Sequence, residues 1–472
     1  VDDHEELERP HEACGVFGLY APGYEVARDT YFGLYALQHR GQESAGIVVS
    51  DGKRLRAHVQ MGLVSQVFAE ADIARLRGHI AIGHTRYSTT GGSQICNAQP
   101  ILMKDDRLGE FALAHNGNLA NAVVLQRRLE RQGHTFTSTS DSEIIAKLIT
   151  LVPGDTWEER LQRVMAQLSA AYSLVICTRD SILAIRDPYA VRPLVLGRLG
   201  ENWMVASETC AIDILGGTAV REIAPGEIVR IDGTGEDHLH STQGAASRGR
   251  ASCLFEHIYF SRPDSVLGQG SLYAARQRMG QALAEEFPVV ADVVISVPDS
   301  ATPAATGYAA ARKIPFAEGL IKNRYVGRTF IQPDQRLRER GVRLKFNAVP
   351  DVLRGKRVVM IDDSIVRGTT TRQLVQLLRH AGAREVHVGV TSPPFRHPCY
   401  LGIDVAQEGE LIAAQLGSVE AIRRNIEADS LHYLSLDALI AATGLPAAEF
   451  CTGCFTGNYP VQIEEKEPVE VA

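Results

Sequence analysis

The sequence predicts two joined folds, an N-terminal half built on antiparallel sheet and a C-terminal half of α/β type. Three observations carry this. From Tyr172 to about Arg230 short apolar runs alternate with turns, among them Leu174-Val-Ile-Cys, Ile182-Leu-Ala-Ile, Leu194-Val-Leu-Gly, Trp203-Met-Val-Ala and Glu227-Ile-Val-Arg-Ile, the pattern of antiparallel strands. From Arg357 to Gly382 the chain reads strand, polar loop, helix. Val358 to Ile361 are apolar, Asp362 and Asp363 end the run, and a helical pattern extends from near Thr371 to a stop at Gly382. Between these regions Asp237 to Gly249 is polar and rich in Ser, Gly and His. The expected division is a leader at 1–13, a first domain at 14–245 and a second at 246–472.

Composition narrows the class. A chain of 472 residues exceeds one ordinary core, and 22% charged with 45% hydrophobic residues is the balance of a soluble globular protein. The net charge of −7 gives no general pull toward nucleic acid or an anionic membrane, so an anionic substrate must be held by local cations and backbone N–H groups. No apolar run approaches the roughly 20 residues of a membrane helix. The start, Val1-Asp-Asp-His-Glu-Glu-Leu-Glu, has neither the basic flank nor the apolar centre of a signal peptide. A cytoplasmic protein is expected, and there the eight cysteines are not expected to pair as disulfides.

In the first half the character changes abruptly at Cys14-Gly-Val-Phe-Gly-Leu-Tyr, an apolar strand-like run that opens with a cysteine. Three further stretches end in polar, glycine-bearing loops, the usual place for site residues: Leu37-Gln-His-Arg-Gly-Gln-Glu-Ser-Ala-Gly, Gly83-His-Thr-Arg-Tyr-Ser-Thr and Ala114-His-Asn-Gly-Asn-Leu. Together they resemble the class II, N-terminal nucleophile glutamine amidotransferases, whose layered α+β fold the strand pattern fits. The resemblance implies that residues 1–13 are a propeptide and that its removal makes Cys14 the first residue. The chemistry agrees. A thiol needs a base, and no Cys–His–Asp arrangement is assignable from the sequence. A freed α-amino group, with an ordinary pKa of about 7.7–8.0, can take the thiol proton, whereas a peptide nitrogen cannot. By the same resemblance Asn116 and Gly117 form an oxyanion hole, Arg86 clamps the glutamine α-carboxylate, and Asp141 holds its ammonium. Asp141 also has the simpler reading of a helix N-cap, and Cys96, Cys177 and Cys210 read as packing residues.

In the second half, ligands of open α/β sheets bind beyond the carboxyl ends of strands, and a helix N-terminus beside hydroxyls suits a phosphate. The run Ile361-Asp-Asp-Ser-Ile-Val-Arg-Gly-Thr-Thr resembles the fingerprint of type I phosphoribosyltransferases. It implies that Asp362 and Asp363 meet the ribose of phosphoribosyl pyrophosphate (PRPP), while Ser364, Arg367, Gly368, Thr369 and Thr370 hold its 5′-phosphate. Val293-Val-Ile-Ser-Val-Pro-Asp-Ser would bring Asp299 and Ser300 to the diphosphate, with one Mg²⁺ per subunit at Ser300, Asp362 and Asp363. The charged segment from Lys322 to Lys345 reads as a surface loop; the resemblance implies a lid over PRPP that uses Lys322, Arg324, Tyr325 and Lys345.

Four cysteines remain, Cys253, Cys399 and Cys451-Thr-Gly-Cys454. A Cys-x-x-Cys pair by itself does not separate zinc, iron–sulfur and redox dithiol. Across nearly its whole length the chain resembles the glutamine–PRPP amidotransferase family, in its propeptide-bearing iron–sulfur branch. That implies one [4Fe–4S] cluster per subunit on Cys253, Cys399, Cys451 and Cys454, as a structural staple. It also implies homotetramers, inhibition by purine nucleotides, and transfer of the glutamine amide nitrogen to PRPP through the protein interior, opening purine biosynthesis. Two alternatives predict other features. Another glutamine-dependent synthase would lack the Asp-Asp-Ser fingerprint, and a PRPP-sensing regulator on nucleic acid would show a basic face or a helix-turn-helix.

Overall fold

The structure, a computed structural model, describes residues 14–87, 92–268, 270–323, 345–403 and 408–463. Among these residues two antiparallel sheets stack face to face in the first half. The seven-stranded sheet has the order Thr218–Glu222, Val195–Leu199, Asn202–Ala206, Gly15–Tyr20, Ile80–Arg86, Ser44–Ser50, Leu55–Met61. The six-stranded sheet runs Leu239–Gln243, Glu227–Ile231, Ile182–Arg186, Ala170–Cys177, Gly109–Leu119, Ile101–Asp105. Val16, Val48 and Ile82 of the first meet Ala112, Val175 and Val229 of the second between the layers. Helix Val26–Ala36 covers the outer face of the first sheet, where Phe17 and Leu19 meet Leu34. Helices Ala122–Arg131, Asp141–Leu151 and Trp157–Met165 cover the second. Strand Gly15–Tyr20 is buried along its whole length because both of its faces are covered.

This is the layered α+β arrangement the sequence predicts. The polar stretch 237–249 departs from expectation, because part of it is the edge strand Leu239–Gln243, paired in register with Glu227–Ile231. With one face open to solvent it needs no apolar alternation, so nothing in its composition marks it as a strand. Cys177 and Cys210 are buried as expected, but Cys96 is exposed in a short turn, and its reading as a packing residue is corrected.

The second half centres on a four-stranded parallel sheet, Val293–Ser296, Arg357–Asp362, Glu385–Val390, Ser430–Tyr433. Alternate residues of Arg357–Asp362 point to opposite faces. Val359 and Ile361 pack toward helices Leu272–Glu286 and Thr302–Arg312, while Val358 and Met360 pack toward Leu374, Val375 and Leu378 of helix Thr369–His380. All four strands therefore end on one side, and both motif loops leave from that edge. The halves share one core, in which Ala171 and Val191 of the first join Leu254 and Phe255 of the second. No helix among the described residues is long and apolar enough to cross a membrane.

Burial holds two histidines neutral. His84, on a central strand, is pushed down to about 3, and His257, at the seam of the halves, to about 4. Unfolding exposes both, and each then takes up a proton below its ordinary value of about 6.5. The unfolded chain thus binds more protons across the window from about 6.5 down to 4, and stability is lost as pH falls through it, by about 4 kcal/mol from pH 7 to pH 5. Denaturant unfolding at the two pH values checks this, and equal stability would contradict it.

Candidate active sites

Cys14 directly precedes strand Gly15–Tyr20, so the sheet fixes where its thiol lies. The Sγ donates to the carbonyl of Tyr87 at 3.4 Å, just beyond the neighbouring strand Ile80–Arg86. Arg86 ends that strand, buried, with Nη1 3.3 Å from Glu43 Oε2. Asn116 and Gly117 lie on strand Gly109–Leu119. Both amide atoms of the Asn116 side chain are buried and without a hydrogen-bond partner among the described residues, a costly arrangement that a bound polar group would relieve. Gly117 has φ +152°, and a Cβ there would come within 2.0 Å of the Ala171 carbonyl oxygen, so no other residue fits.

Asp141 is the first residue of helix Asp141–Leu151, and the N-cap is Ser140, whose side chain accepts from the Ser142 N–H. The N-cap reading of Asp141 is thereby corrected. Its Oδ2 instead accepts the Leu119 N–H at 3.0 Å, tying the helix start to the strand of Asn116. Cys14, Arg86, Tyr87, Gln99, His115, Gly117, Ser140, Asp141 and Ser142 line one cleft. Burial pushes the Cys14 thiol up, and the Tyr87 hydrogen bond and the Arg86 charge offset this only in part. His115 is also held down by burial. The cleft therefore offers a cation, a carboxylate and a protonated thiol that still needs a base, with the unpaired Asn116 amide on the strand residue before Gly117. Tyr87, Gln99, His115, Ser140 and Ser142 were not singled out in the sequence, although Tyr87 and His115 fall inside motifs that were and Ser140 and Ser142 flank Asp141.

The second site lies beyond the parallel strands. Ser296 and Ile361 are register partners, so the loops after them rise side by side. Asp362 and Asp363 are only 2% and 1% exposed. Ser300 Oγ donates to Asp363 Oδ2, Ser364 Oγ donates to Asp363 Oδ1 at 2.7 Å, and the Asp363 N–H is received by Asp362 Oδ1 at 2.9 Å. Lys322 Nζ donates to Asp299 Oδ2 at 3.3 Å. Arg367 donates to Glu410 at 2.8 Å, and Gly368, with φ +84°, caps the helix that Thr369 and Thr370 begin. A Cβ on Gly368 would meet Ile412 Cδ1 at 2.4 Å. At this helix start the N–H groups of Thr369 and Thr370 have no acceptor within the helix, and beside their hydroxyls they could receive an anion next to the acidic pair. Lys345 directly precedes strand Phe346–Ala348, its carbonyl accepting the Asn323 N–H at 2.8 Å. Arg324 and Tyr325 lie outside the described residues.

The cysteines form a third group. Strands Ser252–Cys253 and Phe450–Cys451 pair in parallel with Cys253 opposite Cys451. The carbonyl of Cys454 accepts the N–H groups of Arg396 and His397, which brings in the loop that carries Cys399. Burial pushes the Cys253 thiol up to about 11 and those of Cys451 and Cys454 higher, each in the field of the other cysteines. Four soft donors surrounded by Phe255, Phe395, Phe450 and Phe455 suit an iron–sulfur group chemically. Among the described residues no three His, Cys, Asp or Glu side chains close on a single-ion position. That holds for the acidic pair too, which fits Mg²⁺ only in the usual manner of one or two carboxylates completed by substrate phosphate.

The cysteine loop also touches the first site. Asn118 Nδ2 donates to the Tyr400 carbonyl at 2.9 Å, and a Cβ on Gly402 would lie 3.0 Å from Gly117 Cα.

Comparison with known proteins places these sites in context. Residues 84–213 match the family model of the glutamine amidotransferase domain. The chain is 53% identical to the amidophosphoribosyltransferase of Synechococcus elongatus, covering 98% of this chain and 94% of that protein. It is 48% identical to the amidophosphoribosyltransferase of Bacillus subtilis, covering 97% and 96%. Among solved structures, the Bacillus subtilis glutamine PRPP amidotransferase complexed with ADP and GMP superposes with a TM-score of 0.90 at 47% identity, over 96% of this chain and 98% of that one.

Proposed function

The chain belongs to the amidophosphoribosyltransferase family, and from that premise we propose that it transfers the amide nitrogen of glutamine to PRPP, giving 5-phosphoribosylamine, pyrophosphate and glutamate, the first committed step of purine biosynthesis. The observation that carries the reading is the gathering of Cys14, Arg86, Gly117 and Asp141 in one cleft, in a molecule that also holds an acidic pair beside a phosphate cradle.

Residues 1–13 are a propeptide, 14–245 the glutaminase domain and 246–472 the phosphoribosyltransferase domain. With the propeptide gone, the Cys14 amine takes the thiol proton and the thiolate attacks the glutamine amide carbon. The oxyanion that forms is received by the Asn116 side-chain amide and the Gly117 N–H, while Arg86 and Asp141 hold the amino-acid end. Collapse, with the proton passed from the Cys14 ammonium to the leaving nitrogen, releases ammonia and leaves a thioester, which water cleaves to glutamate and the free thiol. Asp362 and Asp363 orient the ribose of PRPP. Ser364, Arg367, Gly368, Thr369 and Thr370 hold the 5′-phosphate, and Asp299, Ser300, Lys322, Arg324, Tyr325 and Lys345 serve the diphosphate. Ammonia passes inside the protein to carbon 1 of PRPP, where the new C–N bond forms as pyrophosphate leaves.

Mg²⁺, one per subunit at Ser300, Asp362 and Asp363, supplies charge neutralisation at the diphosphate. A [4Fe–4S] cluster on Cys253, Cys399, Cys451 and Cys454 supplies a cross-link between the start and end of the second domain. The chain works in the cytoplasm as a homotetramer, and purine nucleotides inhibit it. The relative complexed with ADP and GMP supports the last point.

The test is glutamate release with and without PRPP and Mg²⁺, on protein whose intact mass shows whether Cys14 is its first residue or still carries the segment before it. Release only from the Cys14 form, rising with PRPP, is expected, and no release from that form would overturn the reading. Within this scheme Asn116→Ala is expected to lower the kcat of glutamine hydrolysis by about 10²–10³-fold with little change in KM, because the lost donor acts on the developing oxyanion. Steady-state kinetics checks this, and a rise in KM alone would contradict it.

A further inference from the structure

Behind the glutamine site a group of buried charges crosses the seam between the halves. Arg40 of the first half is 1% exposed, and its Nε donates to the carbonyl of Cys14 at 3.4 Å. Its guanidinium is divided between two carboxylates. Nη1 donates to Glu208 of the same half, and Nη2 donates to Glu256 Oε1 of the second half at 2.7 Å. Arg192 Nη2 lies 2.8 Å from that same Glu256 oxygen, close enough to pair with it without the alignment of a hydrogen bond.

The exchange is reciprocal. Glu208 of the first half accepts the Arg262 N–H at 2.8 Å and the Ser265 hydroxyl at 2.7 Å, both from the second half. Glu256 further accepts the Ser261 hydroxyl at 2.6 Å, and Arg276 donates to the carbonyls of His257 and Ser261 at 2.9 and 2.7 Å, fixing the short turn Glu256–Phe260. Arg40 and Arg192 thus face Glu208 and Glu256, all nearly or fully buried, with His39 Nε2 also 2.6 Å from Glu208 Oε1, and the contacts of both arginines with Glu256 exist only when the halves are docked. Charges so placed tolerate little displacement, because undocking would leave Arg40 with Glu208 alone and would part Arg192 and Glu256, a costly loss in a low-dielectric interior.

We propose that Arg40 is a positioning residue for Cys14 and that Glu256 sets it, so that the second half supplies the carboxylate that completes the glutamine site. The inference rests on the amidotransfer reading. Strand pairing holds the chain after Cys14, starting with Gly15 against Thr85. The carbonyl of Cys14 is the last backbone group before the nucleophile, and the N–H that steadies it belongs to a side chain aimed by Glu256. A small rotation of that peptide moves both the thiol and its amine relative to the substrate amide.

The experiment compares Arg40→Lys, Glu256→Gln and Glu256→Asp with the parent, all as processed full chains. It reads kcat and KM for glutamine hydrolysis, ammonia-dependent synthesis, melting, and the rate of Cys14 alkylation by iodoacetamide. Arg40→Lys and Glu256→Gln are expected to lower kcat by about 10²-fold, with KM for glutamine changed less than about threefold, the scale of a misplaced nucleophile. Ammonia-dependent synthesis should stay near the parent, melting should drop in Glu256→Gln because the buried Arg40 and Arg192 charges lose their shared partner, and Glu256→Asp should recover most of kcat. Unchanged hydrolysis would overturn the inference, as would glutamine- and ammonia-dependent rates falling together with melting, which marks a merely structural clamp. A parent that hydrolyses no glutamine would instead sink the amidotransfer reading. Alkylation would still decide the role of Arg40, being slowed in Arg40→Lys and Glu256→Gln if it holds and equal to the parent if it does not.

Discussion

Cys14→Ala in the processed chain is expected to abolish glutamine-dependent synthesis, by about 10⁴-fold or more, and to leave ammonia-dependent synthesis close to the parent. The first half of this expectation follows from covalent chemistry. Without the sulfur no thioester forms, and Arg86 and Asp141 in the same cleft are expected to bind glutamine without cleaving it. The second half follows from the fold. Cys14 directly precedes a strand of the antiparallel sandwich, whereas the acidic pair stands at the end of a strand of a separate parallel sheet, so free ammonia is expected to reach the second site without the first. The small side chain should be tolerated, because among the described residues the Cys14 thiol makes one long hydrogen bond, to the Tyr87 carbonyl. Paired assays with glutamine and with ammonium salt check the claim. Equal loss in both would show that the sites are not separable.

The converse holds for Asp363→Asn. Asp363 accepts the hydroxyls of Ser300 and Ser364 from two different loops, so its carboxylate both shapes the site and supplies charge to it. An amide keeps the volume but replaces one acceptor oxygen with a donor that faces a hydroxyl, and it removes the charge. Synthesis from glutamine and from ammonia should fall together, by about 10²–10³-fold. Glutamine hydrolysis without PRPP should persist, while its stimulation by PRPP disappears. A variant with normal ammonia-dependent synthesis would move the ribose site elsewhere.

Much of both sites was legible in the sequence because their residues sit in short polar loops that interrupt apolar runs. Cys14, Arg86, Asn116 and Gly117 each lie at or near the end of a strand or begin one, and Asp362 to Thr370 form one uninterrupted strand–loop–helix unit. Local pattern exposes such groups because chemistry and chain order coincide. Arg40 and Glu256 escape it for the opposite reason. They stand 216 residues apart, and although Arg40 falls inside the Leu37-Gln-His-Arg-Gly motif, nothing local assigns either residue a partner. Only the docking of the halves turns them into a pair. The strand Leu239–Gln243 was missed because an edge strand facing water needs no apolar alternation. Asp141 was ambiguous for a physical reason as well. An acidic residue at the start of a helix is favoured by the helix dipole whether or not it binds substrate, and only its bond to the Leu119 N–H separates it from the cap, Ser140.

The central claim is that nitrogen released at Cys14 reaches PRPP without leaving the protein. Its most direct test supplies the processed chain with amide-¹⁵N glutamine, PRPP and Mg²⁺ in the presence of excess unlabelled ammonium, and reads by mass spectrometry the ¹⁵N content of the phosphoribosylamine formed. Internal transfer is expected to leave the product strongly enriched in ¹⁵N relative to the bulk ammonium pool. Product whose label matches the pool would contradict it, showing two independent sites that share one chain.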